Sequence, residues 1–222
     1  MSPPPSIEPS LLDAVRAARL DADSLDTDSL DTERPDAGDP DAGRGGTSSA
    51  LAVEYRTDAA GTVAELGRLL ARLHELPVPE GSTVLDARTI ADARRTAFER
   101  GELADLEVGA AYRHIAVDRL VELLDEGAQA ASSRAGAPVL THGRPTLGVF
   151  RWDRWTPIGL DSWEHLAVAD RNRDLAVAAR SIVTELEPAF LPPFFDAYGH
   201  DHLDLLQLDW YSLALELDPG RA

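Results

Sequence analysis

Apolar residues fall three and four positions apart at Val63, Leu66, Leu69, Leu70, Leu73 and Leu76, the spacing of one buried helix face. The S/T-x-x-E pattern of Thr62-Val63-Ala64-Glu65 supplies a start for that helix, and Pro77 a stop. His74, near its end, reads as a solvated or capping side chain rather than a ligand. A second helix is capped by Asp86 and runs to about Arg100, where Gly101 ends it. A third, over roughly residues 112–126, turns Ile115, Leu120, Val121 and Leu124 inward and stops at Gly127. The period then changes. Residues 138–141 form a short buried strand, and 149–153 with 157–161 form a hairpin whose tip carries Arg154 and Trp155. Asp170 caps the longest helix, about 171–186, with an inner stripe of Leu175, Ala178, Ala179 and Ile182. A proline-punctuated helix over 188–198 ends at Gly199. The last helix starts near Asp201 and buries Leu203, Leu206, Trp210, Leu213 and Leu217. The fold class is α+β, mostly helical, with a small antiparallel hairpin.

Residues 1–49 carry a different pattern. One short helix fits from Pro9 to about Leu20, with Leu11, Leu12 and Val15 on one side. The pentad Asp23-Ser24-Leu25-Asp26-Thr27 then repeats as Asp28-Ser29-Leu30-Asp31-Thr32, and glycine and serine close the segment. So few apolar groups among so many like charges cannot offset the entropy of ordering, so 1–49 is expected to be a disordered acidic tail. Leu51 to Arg56 is a strand-like run. The folded unit is placed at 50–218, and 219–222 is a short C-terminal tail.

Composition sharpens this picture. The formal charge of −18 argues against nucleic acid and against an anionic membrane surface. With no cysteine, neither a disulfide framework nor a thiolate metal site can form. The chain shows no signal peptide and no eighteen-residue apolar run, so a soluble, cytoplasmic protein is expected. All 21 basic residues are arginine. Phosphoryl transfer of the kinase and P-loop types uses a lysine amine on the nucleotide phosphates, and this chain has none to offer.

The order of Val139-Leu140-Thr141-His142-Gly143-Arg144, a hairpin, Ile158-Gly159-Leu160-Asp161, and the helix ADRNRDLAVAARSI over 169–182 resembles the aminoglycoside phosphotransferases. Residues 66–79 (LGRLLARLHELPVP) are similar to the first helix of that family's large lobe. The run from Tyr198-Gly199 through Asp209-Trp210-Tyr211 and Glu216 is similar to its terminal helix, which in relatives helps line a sugar pocket. The resemblance spans residues 51 to 218 and implies the C-terminal lobe of a protein-kinase-like fold. The N-terminal sheet lobe, with its lysine and glycine-rich loop, is expected to be missing or vestigial, Leu51 to Arg56 standing for the hinge strand.

The family's catalytic loop reads H-G-D-x-x-x-x-N, whereas this chain reads H-G-R-P-T-L-G-V. The resemblance therefore puts Arg144 where a carboxylate should accept the proton of the attacking hydroxyl, and Val149 where an asparagine should hold Mg²⁺. A guanidinium cannot accept that proton. Asp161 keeps a metal-binding position, while His142 and Asp174 correspond to residues that support the loop. A catalytically inactive phosphotransferase-like protein with a ligand-binding or regulatory role is the leading expectation. Its ligand would be sugar-like or anionic, drawn by Arg144, and Mg²⁺ and ATP would enter only if activity is retained. One alternative is an active enzyme using Asp153 or Glu164 with arginines in place of lysine. Another is a scaffold that binds a protein partner, or itself, through the open edge of the hinge strand.

Other candidates carry less chemistry. His200 and His202 with Asp201 and Asp204, and the pair His114 and Asp118, read as surface residues. Ser181 and Ser212 lack companions for a hydrolytic triad. Trp152, Trp155 and Trp163 read as core or rim of the hairpin rather than as a ligand shelf.

Overall fold

The computed structural model describes residues 11, 13–15, 58–153, 156–200 and 203–221. The expected hinge strand, the acidic repeats, the hairpin tip at 154–155 and His202 lie outside these. Among the described residues, no helix is long and apolar enough to cross a membrane.

Helix α1, Ala59–His74, begins one turn before its predicted start. Asp58, not Thr62, is its cap, accepting from the Gly61 amide at 3.0 Å, and Thr62 is buried inside the helix. A carboxylate free to turn back on the first turn satisfies an orphan amide as well as a hydroxyl does. Strand β1, Val84–Leu85, leads into α2, Ala87–Glu99, capped as expected by Asp86 accepting from the Thr89 amide at 2.7 Å. Gly101 follows with φ +73°.

Helix α3, Val117–Arg134, departs from expectation at both ends. Residues 112–115 form turns instead of helix, with Ile115 N–H bonded to the Tyr112 carbonyl, so His114 and Asp118 do not share a helix face. Gly127 sits in the interior of the helix, where a Cβ would stand 2.8 Å from the indole of Trp210. The glycine makes room for a neighbour; it does not end the helix. At 18 residues α3 is also the longest described helix.

Strands β2 (Val139–Thr141) and β5 (Ala167–Ala169) pair antiparallel, and β1 lies parallel on the other side of β5. The hairpin joins β3, Phe150–Asp153, to β4, Thr156–Leu160. Helix α4, Asn172–Glu185, starts after Asp170, whose Oδ1 accepts from the Asn172 amide at 2.7 Å. Helix α5, Leu191–Tyr198, ends at Gly199 with φ +109°. It packs on α1 over Gly67, where a Cβ would come within 2.4 Å of the Phe194 carbonyl. Helix α6, Leu205–Glu216, is capped by Asp204 accepting from the amides of Leu206 and Gln207. That later start makes Gln207, Trp210, Ala214 and Leu217 the inward stripe and leaves Leu206 62% exposed, against expectation.

The core has two parts. One lies among α1, α5, the hairpin and Leu175, Ala178 and Ile182 of α4. Leu11 and Val15, helical as expected for that segment, are buried within it. The other lies among α2, α3 and α6, with Ala176 of α4. Helix α4 thus has apolar groups on two sides, and its N-terminus meets the loop after β2.

Candidate functional site

Residues 142–144 leave β2 at the junction of the two core regions. Gly143 has φ +88°, and a Cβ there would stand 2.4 Å from the His165 carbonyl and 2.7 Å from a guanidinium nitrogen of Arg173. Only glycine meets both demands, the left-handed backbone and the close approach. Asp174 of α4 fixes the loop from beneath. Its Oδ2 accepts from the His142 amide and its Oδ1 from the Gly143 amide, each at 2.7 Å.

His74 completes this support. Its Nε2 stands 3.2 Å from Asp174 Oδ2 and its Nδ1 2.8 Å from the Tyr198 hydroxyl. The predicted solvated histidine is instead buried, because α5 and α4 close over the end of α1. A histidine at the close of an apolar stripe, just before a proline turn, was the available signal. Burial opposes the Asp174 charge, but the hydrogen bond and charge of His74, with Arg173 nearby, hold its carboxyl below the ordinary value. Burial pushes the Tyr198 hydroxyl up to about 12.

The side chain of His142 turns the other way. Its Nε2–H donates to the Asp161 carbonyl at 2.8 Å, leaving Nδ1 to accept from the Arg144 amide at 3.3 Å. Its ring lies 4.6 Å from that of Trp163, whose indole N–H donates to the Leu160 carbonyl. Trp163 is therefore core. Burial holds His142 below the ordinary histidine value, favouring the neutral ring that this double role requires.

A pH dependence of stability follows. The unfolded chain gains a proton on His142 near the ordinary value of 6.5, and the folded chain resists it, so stability falls as pH drops below that value. Asp174 acts lower: its contribution is present above the ordinary value of 3.8 and is lost as pH falls through its depressed folded value. Thermal unfolding followed by circular dichroism should show Tm declining between about pH 7 and 5 in the native chain, and more weakly in His142→Gln. Parallel profiles for the two proteins would contradict this assignment.

The positions flanking the loop are brought together as well. The Asp161 amide donates to the Val149 carbonyl at 2.9 Å. Val149 is buried hydrocarbon in the core. Asp161 is exposed, with one oxygen on its neighbour's amide (Ser162) and the other 3.7 Å from Arg151 Nη1. Glu164 is exposed. One arginine-paired carboxylate beside a valine does not fit Mg²⁺, which needs several oxygens in octahedral array. Among the described residues, no three histidine or carboxylate groups could hold a metal ion together. His200 pairs with Asp196, four residues before it on the surface.

Arg144 is not among the residues lining the cavity beside the loop. Its Nη2 donates to the Gly220 carbonyl at 3.0 Å. The cavity beside the loop belongs to other arginines. It encloses about 250 Å³ between α2, α4 and α6, touching Gly143, Arg94, Arg173, Tyr211 and Asp218. Sequence reading passed over Arg94 and Arg173, since nothing in a helical pattern tells which of many arginines turns inward.

A family model described as the phosphotransferase enzyme family, APH, matches residues 41–211. No curated protein matches the sequence. Among solved structures, an aminoglycoside-3'-phosphotransferase of type VIII aligns with a TM-score of 0.61 at 20% identity, covering 73% of this chain and 62% of that one. The aminoglycoside phosphotransferase APH(3'')-Id from Streptomyces rimosus aligns with a TM-score of 0.60 at 20% identity, over 77% of this chain and 64% of that one. Its structure in complex with ADP and streptomycin gives 0.61 at 19% identity, over 74% and 63%. The chain spans less than two thirds of the length of these structures.

Proposed function

Since this chain belongs to the phosphotransferase enzyme family, we propose that it is an inactive member, one that keeps the large-lobe scaffold to bind a small molecule. The observation that carries this reading is Arg144. It follows His142-Gly143 where the family's proton acceptor would stand, and its guanidinium is committed to the Gly220 carbonyl. An always-protonated group cannot act as a general base. Val149 and the arginine-paired Asp161 provide a poor Mg²⁺ site, and no lysine exists to meet nucleotide phosphates. A protein that has lost these parts while keeping a cavity against its His-Gly loop is suited to recognition. The neighbour that binds ADP and streptomycin makes a small-molecule ligand the natural class.

The test is turnover. ADP release from ATP·Mg²⁺ should stay at the buffer rate for the native chain, with and without streptomycin, and should be indifferent to Asp161→Ala. General acid–base catalysis alone is worth about 10²–10⁴-fold, so a working site would be plain. Native turnover that Asp161→Ala abolishes would overturn the proposal and restore an enzyme.

A further inference from the structure

We propose that the cavity between α2, α4 and α6 recognises a small amphipathic oxyanion, a carboxylate or phosphate monoester bearing an apolar group, with Arg173 as its principal contact. The inference rests on the ligand-binding reading above and names the class of ligand.

Charge is the first ground. The charged side chains on the cavity wall are Arg94, Arg173 and Asp218, an excess of one positive charge. Asp218 is 3.0 Å from Arg94 Nη2, and Arg94 Nε donates to the Ala214 carbonyl at 3.1 Å. Arg94 is thus answered. Arg173 makes no direct ion pair, feeling Asp174 and Asp218 only at longer range: Nη1 donates to Thr141 Oγ1 at 2.9 Å, and both terminal nitrogens share the His165 carbonyl at 3.3 and 3.4 Å. All of these acceptors are neutral. Its neighbour Asp174 spends its oxygens on the loop amides and His74. Among the described residues Arg173 has no ion pair within 4.0 Å, and its terminal nitrogens lie 2.7 and 2.8 Å from where a Cβ on Gly143 would stand. Burial, with repulsion from Arg173, holds Arg94 below the ordinary arginine range. Burial, then the charges of Arg144 and Arg173, lower His165 against the opposing pull of Glu164 and Asp218. The charges on the wall itself thus sum to +1, with Asp218 tied to Arg94.

Size and polarity are the second. Much of the remaining wall is hydrocarbon, from Ile90, Val177 and Leu215. At about 250 Å³ the space lies below the ~300–1,000 Å³ of sites for drug-sized ligands, so its occupant is small. The fork of an arginine suits an oxyanion bound in bidentate fashion. The Asp218–Arg94 pair shows a carboxylate already accepted there. A polycationic sugar antibiotic would meet the wrong sign.

Isothermal titration of the full chain with hexanoate, hexyl phosphate, neutral hexanamide and streptomycin tests this. One of the two anions should bind at least about tenfold more tightly than hexanamide, as a charge-assisted contact implies, and their order tells carboxylate from phosphate. Arg173→Met should erase that preference. Ala93→Trp, at an exposed position on the cavity rim, should abolish anion binding with an unchanged circular dichroism spectrum, and serves should Arg173→Met fail to fold. Hexanamide or streptomycin binding as well as the anions would overturn the oxyanion assignment while leaving ligand binding intact. Anion binding untouched by Ala93→Trp would move the site elsewhere and overturn it too. No heat from any probe would count against both readings.

Discussion

Asp174→Ala is expected to cost about 3–5 kcal/mol of folding stability, the scale for removing one partner of a buried charged network. For a chain of this size that is a fall in Tm of roughly 6–20 °C. The carboxylate accepts from two consecutive backbone amides and from His74, all of them buried. Removing it leaves three donors without an acceptor in a place water does not reach. Asp174→Asn should cost less, since one amide oxygen can still serve a loop N–H while the new NH₂ faces the other. The loss should also reach beyond stability. Gly143 and Arg173 share the cavity, so a loosened loop should weaken any ligand bound there. Chemical denaturation with circular dichroism gives the stability, and an Asp174→Ala protein within about 0.5 kcal/mol of native would refute the account.

Trp210→Ala should be of similar size, about 3–5 kcal/mol, the range for emptying a large aromatic site in a core. The indole is buried between α6 and α3, donates to the Leu124 carbonyl at 3.0 Å and meets Tyr211 edge-on at 4.9 Å. Trp210→Phe isolates the lost N–H and should cost less than half as much. A coupling tests the geometry directly. Gly127→Ala should destabilise the native chain, because its methyl would strike the indole at 2.8 Å. In the Trp210→Ala background the same change should be harmless or stabilising, since alanine is about 1 kcal/mol better than glycine inside a helix. Additive effects in the double variant would show that the helices do not meet there.

These residues also show how far the chain could be interpreted without coordinates. The Leu66–Leu73 stripe, the Asp86 cap, the buried strand before His142 and the Gly199 stop are local features, and the fold carries all of them. The family resemblance likewise needed only residues in order, as the match over 41–211 shows. Errors arose where one signal has two physical causes. Gly127 looked like a helix end and is a packing gap; His74 looked like a helix terminus and is a buried link to Asp174. Arg144 was expected to attract a ligand but binds the Gly220 carbonyl. The cations that do line the cavity, Arg94 and Arg173, come from α2 and α4, about eighty residues apart in the chain.

The amino-acid sequence by itself determined where most of the helices form, which family the chain joins and that it carries no lysine, because those depend on residue type and near-neighbour spacing. Tertiary structure decided the rest: that His142-Gly143 hangs from Asp174 and His74, and that Arg173 lines a cavity whose carboxylate, Asp218, is paired with Arg94. Burial and the pairing of charges are set by what other segments bring alongside a residue. Two arginines alike in sequence become, once the helices pack, a latch on the C-terminus and the cation of a candidate binding site.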